Sequence, residues 1–356
     1  MKTDDFMVSI VISNYNYESY VSAAIESALG ARWHRKEVIV VDDGSTDGSR
    51  AAIARFGDRI VPIFQENKGQ LKACIAGFVR SKGDFIMFLD ADDLIHPEIF
   101  EEVVAVLRPG VSKVQFQMRT IDAQGASLGS FFPQYHVIPT PEKIREWALT
   151  AGAYPTPPGS GNLYAREVVE KTFNMYLPDV IFQDRYSDSP LLSAAPYLGD
   201  VVTIPKPLVS YRIHGRNDGA FTTIDEKRFS DAVRQAINRD SFSRIVASSV
   251  GITIPEHLLY RSLAFNRYRL ASLRLMPALH PIKGDTRLAI LIDTVRASMT
   301  PQGISLPEIV ASIAWAWLVA LSPLKLARTL ILWRFAPTSR PRVLQSFLRR
   351  LLVVRG

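Results

Sequence analysis

Between Met7 and Asp93 the chain switches repeatedly between two hydrophobic periods, and this alternation restricts its fold more than any other feature. "MVSIVIS", "KEVIVVDD", "IVPIFQE" and "DFIMFLD" are short, apolar, β-rich runs. Between them "ESYVSAAIESAL", "DGSRAAIARFG" and "GQLKACIAGFVRSK" place apolar residues at helical spacing. Strands alternating with helices make βαβ units, which predict an α/β fold with a mostly parallel sheet flanked by helices on both faces. In such sheets ligands bind beyond the carboxyl ends of the strands. Three of those ends carry polar clusters, "SNYN" at 13–16, "DDGSTDGS" at 42–49 and "DADD" at 90–93, so one crevice lined by all three is expected.

The segment "FIMFLDADDLIHPE" drives an apolar strand into Asp90, Asp92 and Asp93. Like charges this close repel one another unless a cation joins them. A lone D-x-D serves equally well as a solvated loop or a helix N-cap. Here "DDGSTD" ends a second strand, so Asp42, Asp43, Asp47, Asp90 and Asp92 are expected to share the crevice. Clustered carboxylates without nearby cysteine suit a hard divalent ion, Mg²⁺ or Mn²⁺, which keeps positions open for phosphate oxygens.

Together these pieces resemble the family 2 glycosyltransferases of the GT-A fold. "VSIVISNYNYESYVSAAIESAL", "EVIVVDDGSTDGS", "ENKGQ", "GDFIMFLDADDLIHP" and "PLVSYRIHG" occur in that family's order and spacing over residues 7 to about 215. The resemblance implies an inverting transfer from a nucleotide-diphospho-sugar, a UDP-sugar first among them, to an acceptor hydroxyl. It implies donor contacts from Ser13, Tyr15, Asp43, Lys68, Asp90 and Ala91. It gives Asp92 and Asp90 to the metal, with His214 as a further ligand or diphosphate contact. Asn162 and Tyr164, in the loop "PPGSGNLYARE", match the acceptor side, although a plain turn before a helix would read the same. Asp93 is left to cap the helix near Pro97 or to support its neighbours.

An inverting transfer also needs a general base for the acceptor hydroxyl. Family members carry Glu-Asp ahead of a helix, whereas this chain has "IFQDRYSDSPLLSAAPYLGD". Counting back from Gly199 puts Asp188 in the base position, with Asp184 as the alternative. Ser187 stands where glutamate is common, and Cys74 and Ile75 stand where many members have asparagine or arginine. The residues therefore leave open a catalytically silent relative that binds nucleotide or scaffolds a polysaccharide assembly complex.

The net charge of +7 is unevenly placed. Of the 42 basic residues the last eight follow Glu308, the final acid, which leaves 34 basic against 35 acidic before it. The single cysteine excludes a disulfide framework and fits a reducing compartment, and the N-terminus lacks the pattern of a secretory signal. The expected organisation is a catalytic domain over 1–222, split near residue 110 into donor and acceptor halves. A helical region over 223–305 and a basic helical tail over 306–356 follow. "IVASIAWAWLVAL" is shorter than the roughly 20 apolar residues that span a bilayer. With its tryptophans and uncompensated cations, the tail reads as helices lying on an anionic membrane surface. Packing on the body and a homodimer contact stay open. Leucines at helical spacing among the cations argue against nucleic acid. A cytoplasmic enzyme peripheral to the inner face of the plasma membrane, acting on a saccharide or lipid-linked acceptor, is the resulting expectation.

Overall fold

Strand β1 (Val8–Asn14) is buried on both sides, as its unbroken apolar run requires, and its alternate residues feed two cores. Ile10 and Ile12 join Val21, Ala24 and Ile25 of α1 (Val21–Gly30) on one face. Val11 meets Ala73 and Cys74, from the helix over Gln70–Arg80, on the other. The same alternation continues along β2 (Lys36–Asp43), through α2 (Ser49–Ala54), β3 (Val61–Gln65) and α3 (Gln70–Arg80), to β4 (Phe85–Asp90). Cys74 is a small buried apolar residue of the second core.

The computed structural model describes residues 6–135, 137–176, 189–214, 226–300 and 304–336. After β4 come β5 (Leu94–Ile95), α4 (Ile99–Val104), β6 (Val111–Ile121), β7 (Ser127–Phe132) and α5 (Pro141–Ala151). Then follow β8 (Asn162–Ala165), α6 (Arg166–Tyr176), α7 (Ser189–Leu198) and β9 (Asp200–Arg212). The strands form one nine-stranded sheet in the order β3-β2-β1-β4-β8-β6-β9-β5, with β7 paired to β6. The first four strands are parallel, as the βαβ pattern predicts. Antiparallel pairings enter where β8 joins β4 and β6, and where β5 joins β9. β6 and β9 remain parallel.

The chain divides into two units. The sheet belongs to the first, made of Met1–Leu149, Ala153–Ile213 and Asn238–Pro255; the second comprises Thr150–Gly152, His214–Ile237 and Glu256–Gly356. Helix α8 (Lys227–Ser249) contributes to both. The second unit continues with α9 (Leu263–Leu275), α10 (Arg287–Ser298), α11 (Leu306–Leu321) and α12 (Leu324–Phe335). Ser262, Thr286 and Ser305 cap the starts of α9, α10 and α11 with their hydroxyls. Leu270, Ile290, Val319, Ala320 and Ile331 share one apolar core. The described part of the expected tail packs with the helices before it. The helix expected over 340–354 lies outside the described residues.

Candidate active site

Parallel register brings the three polar strand ends side by side. Ser13 of β1 lies opposite Asp90 of β4, and Asn14 lies opposite Asp42 of β2. Asn14 is buried and donates to Asp42 Oδ1 at 2.9 Å and to Ser45 Oγ at 3.1 Å. The Asn16 N–H also donates to Ser45 Oγ, and Asn16 Oδ1 accepts the Thr46 N–H at 2.7 Å. Two loops are thereby laced together, leaving Ser13 half-buried and Tyr15 exposed at their edge.

The five carboxylates expected to share one crevice divide by job. Asp42 is buried, accepts from Asn14 and pairs with Arg50 at 3.4 Å. Asp47 accepts the Glu18 and Ser49 N–H groups, which holds its carboxyl below the usual range although desolvation opposes this. Asp43 accepts from Gln65 Nε2 at 2.6 Å, the Lys68 N–H at 2.9 Å and the Gly69 N–H at 2.8 Å. Gly69 has φ +87°, a region that side-chain-bearing residues rarely adopt, and its N–H reaches Asp43 from there. Asp43 thus pins the loop that presents Lys68, whose own side chain is exposed.

Among the described residues the group able to hold a metal is Asp90, Asp92 and Asp93, with ligand oxygens within 4.8 Å of one another. Asp90 Oδ1 accepts from Gln70 Nε2 at 2.7 Å, and the Asp90 N–H donates to Ser160 Oγ at 3.0 Å. Ala91 and Asp92 are buried. The turn closes by the Asp93 N–H donating to the Asp90 carbonyl. Helix α4 starts six residues beyond Asp93, with Glu98 at its N-cap position, so Asp93 caps nothing there. Its Oδ1 accepts the Arg212 N–H at 3.0 Å, while its Oδ2 is buried without a hydrogen-bond donor. Burial pushes the Asp93 carboxyl well above the usual carboxylate range, and Asp92 and Asp90 add repulsion that the Ser160 hydroxyl and the Arg212 N–H only partly relieve. Hard oxygen donors, mutual repulsion and an orphaned buried oxygen all fit a divalent cation of the Mg²⁺ or Mn²⁺ kind.

Three residues that sequence reasoning missed hold this turn. Arg212, buried at the end of β9, donates through Nε to the Asp92 carbonyl at 2.8 Å and through Nη1 to the carbonyls of Asp122 and Ala123. Its guanidinium also lies over the Tyr20 ring. An arginine inside the apolar run "PLVSYRIH" was the available signal, overshadowed by His214 two residues on. Gln70 and Ser160 gave none, since an amide and a hydroxyl beside glycines look like ordinary turn chemistry.

Ser160 is itself delivered by a buried polar face. Lys113 and Gln115 lie on the opposite side of β6 from Val114 and Phe116, which join the apolar core. Lys113 Nζ donates to Thr156 Oγ1 at 2.8 Å and to Asn162 Oδ1 at 3.0 Å. Gln115 Nε2 reaches the Pro155 carbonyl and Thr203 Oγ1. Asn162 Nδ2 is shared among the carbonyls of Pro157, Pro158 and Gly159, each at 3.1 Å. Asn162, expected on the acceptor side, is thus fully buried and occupied in shaping the loop. Tyr164 is buried on β8 within the second sheet core. Gly159 passes so close to the acids that a Cβ there would sit 3.3 Å from Asp90 Oδ2.

His214 is half-buried two residues beyond β9, next to residues 215–225, which are not described. Asp184 and Asp188 both fall within 177–188, outside the described residues.

Strand ends, laced loops and an acidic turn in this arrangement are those of a GT-A glycosyltransferase. The crystal structure of S. aureus TarS residues 1–349 in complex with UDP-GlcNAc has the same fold, with a TM-score of 0.54 at 14% identity over 92% of this chain and 91% of that one. The family model described as glycosyl transferase family 2 matches residues 9–173. An uncharacterized glycosyltransferase of Nostoc sp. is 33% identical over 265 residues, 71% of this chain and 81% of that protein. The chain belongs to glycosyltransferase family 2. A further relative, the UDP-Glc:alpha-D-GlcNAc-diphosphoundecaprenol beta-1,3-glucosyltransferase WfgD of Escherichia coli, is 36% identical over 93 residues, 26% of this chain and 37% of that one.

Proposed function

We propose that this glycosyltransferase moves a sugar from a UDP-sugar to a hydroxyl of a lipid-linked saccharide, with inversion at the anomeric carbon. The observation that carries the reading is the acidic turn Asp90–Asp93 at the end of β4, beside the donor-facing ends of β1 and β2. Asp90 and Asp92 would hold Mn²⁺ or Mg²⁺, with His214 as a further contact. Such an ion supplies Lewis-acid neutralisation of the charge that develops on the departing diphosphate.

The chain's own residues do the rest. Asp43 and the loop it pins, with Ser13 and Tyr15, form the nucleoside side, and Lys68 presents an exposed cation near the donor. Gln70 and Ser160 fix the Asp90 carboxylate and backbone, so little reorganisation remains when charge develops. In the transfer the acceptor oxygen bonds to the anomeric carbon as the bond to the diphosphate oxygen breaks. The hydroxyl proton passes to a carboxylate, assigned to Asp188 with Asp184 as the alternative. UDP-GlcNAc in the TarS complex and the UDP-glucose and diphosphoundecaprenol acceptor in the WfgD name support the donor and acceptor classes. The same acceptor class supports a site of action at the inner face of the plasma membrane.

The test is release of UDP from a panel of UDP-sugars with Mn²⁺, with and without undecaprenyl-diphosphate-linked saccharides. Turnover that requires the metal and rises with acceptor is expected. Binding of nucleotide without turnover of any donor would leave a silent scaffold relative in its place.

A further inference from the structure

Helix α11 is apolar on its outer face as well as on its inner one. Its buried side, Ser312, Ala316, Val319 and Ala320, packs into the helical core. Its exposed side carries Leu306, Val310, Ala314, Trp317, Leu318 and Leu321, with Leu306 and Leu321 each 72% exposed. These positions recur every three or four residues, so they form one stripe along a helix of 16 residues. The one acid of the helix, Glu308, is drawn to Arg334 at 3.4 Å and Arg267 at 3.7 Å, which leaves the stripe without net negative charge. Past Pro323, Leu324 and Leu326 are exposed together with Lys325 and with Arg328, which pairs with Glu226 at 2.9 Å. No acidic residue follows Glu308 anywhere in the chain.

The geometry points to the outer face of α11 as a docking surface for an anionic lipid bilayer, lying in the interface rather than crossing it. Among the described residues no helix is long and apolar enough to cross a membrane. A stripe of leucine, valine and tryptophan backed by acid-free basic sequence is what binds at the boundary between headgroups and acyl chains. A second copy is the poorer occupant, because pairing this face with itself would bring two acid-free basic segments together. The proposal draws its purpose from the lipid-linked acceptor reading, but its test needs neither donor nor acceptor.

The full-length protein is floated or sedimented with vesicles of phosphatidylcholine alone and of phosphatidylcholine with phosphatidylglycerol. Binding to the anionic vesicles, weakened by salt, is expected. The double variant Trp317→Glu/Leu321→Glu should lower the partition coefficient about tenfold or more. Val79→Glu, at an exposed apolar position on α3, should not lower it, and melting curves confirm that both variants fold. Equal binding by the double variant and the parent, or no binding of the parent to anionic vesicles, would overturn the proposal. So would a parent that is oligomeric in solution and becomes monomeric in the double variant, which would assign the face to a second copy. Vesicle binding that failed while UDP release succeeded would remove this inference and leave the glycosyltransferase reading standing.

Discussion

Among the described residues, two acidic clusters, one in each unit, are built on opposite principles. In the second unit Arg269 of α9 is buried between Asp285 and Asp293. It donates to both Asp285 oxygens, through Nε at 2.5 Å, and through Nη1 to Asp293 at 2.7 Å. His280 adds a contact to Asp285 at 2.9 Å, and the Tyr260 ring covers the guanidinium. Desolvation alone would raise the Asp285 carboxyl, but the hydrogen bonds from Arg269 and His280 win and hold it below the usual range. In the first unit the Asp93 carboxyl, more deeply buried, is pushed the other way by desolvation and by Asp92 and Asp90. A carboxylate cluster that carries its own cation is a fastener between helices. One whose members raise each other's affinity for a proton is poised to take a cation from solution.

The largest test of this contrast is Asp92→Ala, which should lower metal-dependent UDP release by about a thousandfold or more while leaving the melting temperature of the metal-free protein unchanged or higher. Metal-dependent activity close to the parent's would show that the acidic turn is not the metal site. Asp285→Ala should do the reverse. Removing one of the two carboxylates that hold the buried Arg269 costs about 3 kcal/mol of stability, read as a lower denaturant midpoint, with Mn²⁺ affinity of the folded protein retained.

The pH dependence of stability should separate the clusters by sign. A carboxyl whose folded pKa is raised contributes stability that is full below the ordinary value near ~4 and is lost as pH rises through the folded value. Metal-free protein should therefore lose stability as pH rises above the ordinary carboxylate range, and Asp93→Asn should flatten that loss. Asp285 is depressed, so its contribution is present above that ordinary value and is lost as pH falls through the folded one. Denaturant midpoints across pH, with and without Mn²⁺, check both slopes. Asp93→Asn should also cost less activity than Asp92→Ala, and an equal loss would make Asp93 a direct metal ligand. The smallest effect is expected for Gln70→Ala, which removes one hydrogen bond to Asp90 and should cost about 1 kcal/mol of transition-state stabilisation, roughly a fivefold drop in kcat/KM.

Much of this was legible in the chain itself. The continuous apolar runs of β1, β2 and β4 announced strands buried on both faces, because only such strands need no polar side. The spacing of α1 and α3 announced the helices that cover them. Asp90 and Asp92 were legible because carboxylates crowded at the end of an apolar strand repel one another until a cation joins them. In one respect the sequence was silent: Asp42, Asp43 and Asp47 stand at a strand end as Asp90 does, and their hydrogen bonds to local loops show only in the structure. Nothing local distinguishes a carboxylate that accepts backbone N–H groups from one that faces a cation.

By itself, then, the sequence determined the βαβ half of the sheet, the acidic turn and the basic, acid-free end of the chain, since hydrophobic period and charge are carried by neighbours along the chain. Only the tertiary structure decided that Arg212, more than a hundred residues from Asp92, locks the acidic turn. It alone showed that Lys113, Gln115 and Asn162 shape the loop bearing Ser160, and that α11 keeps an apolar face outside its core. Those pairings form across long separations in the chain, where burial and hydrogen-bond geometry choose the partners and no local pattern records the choice.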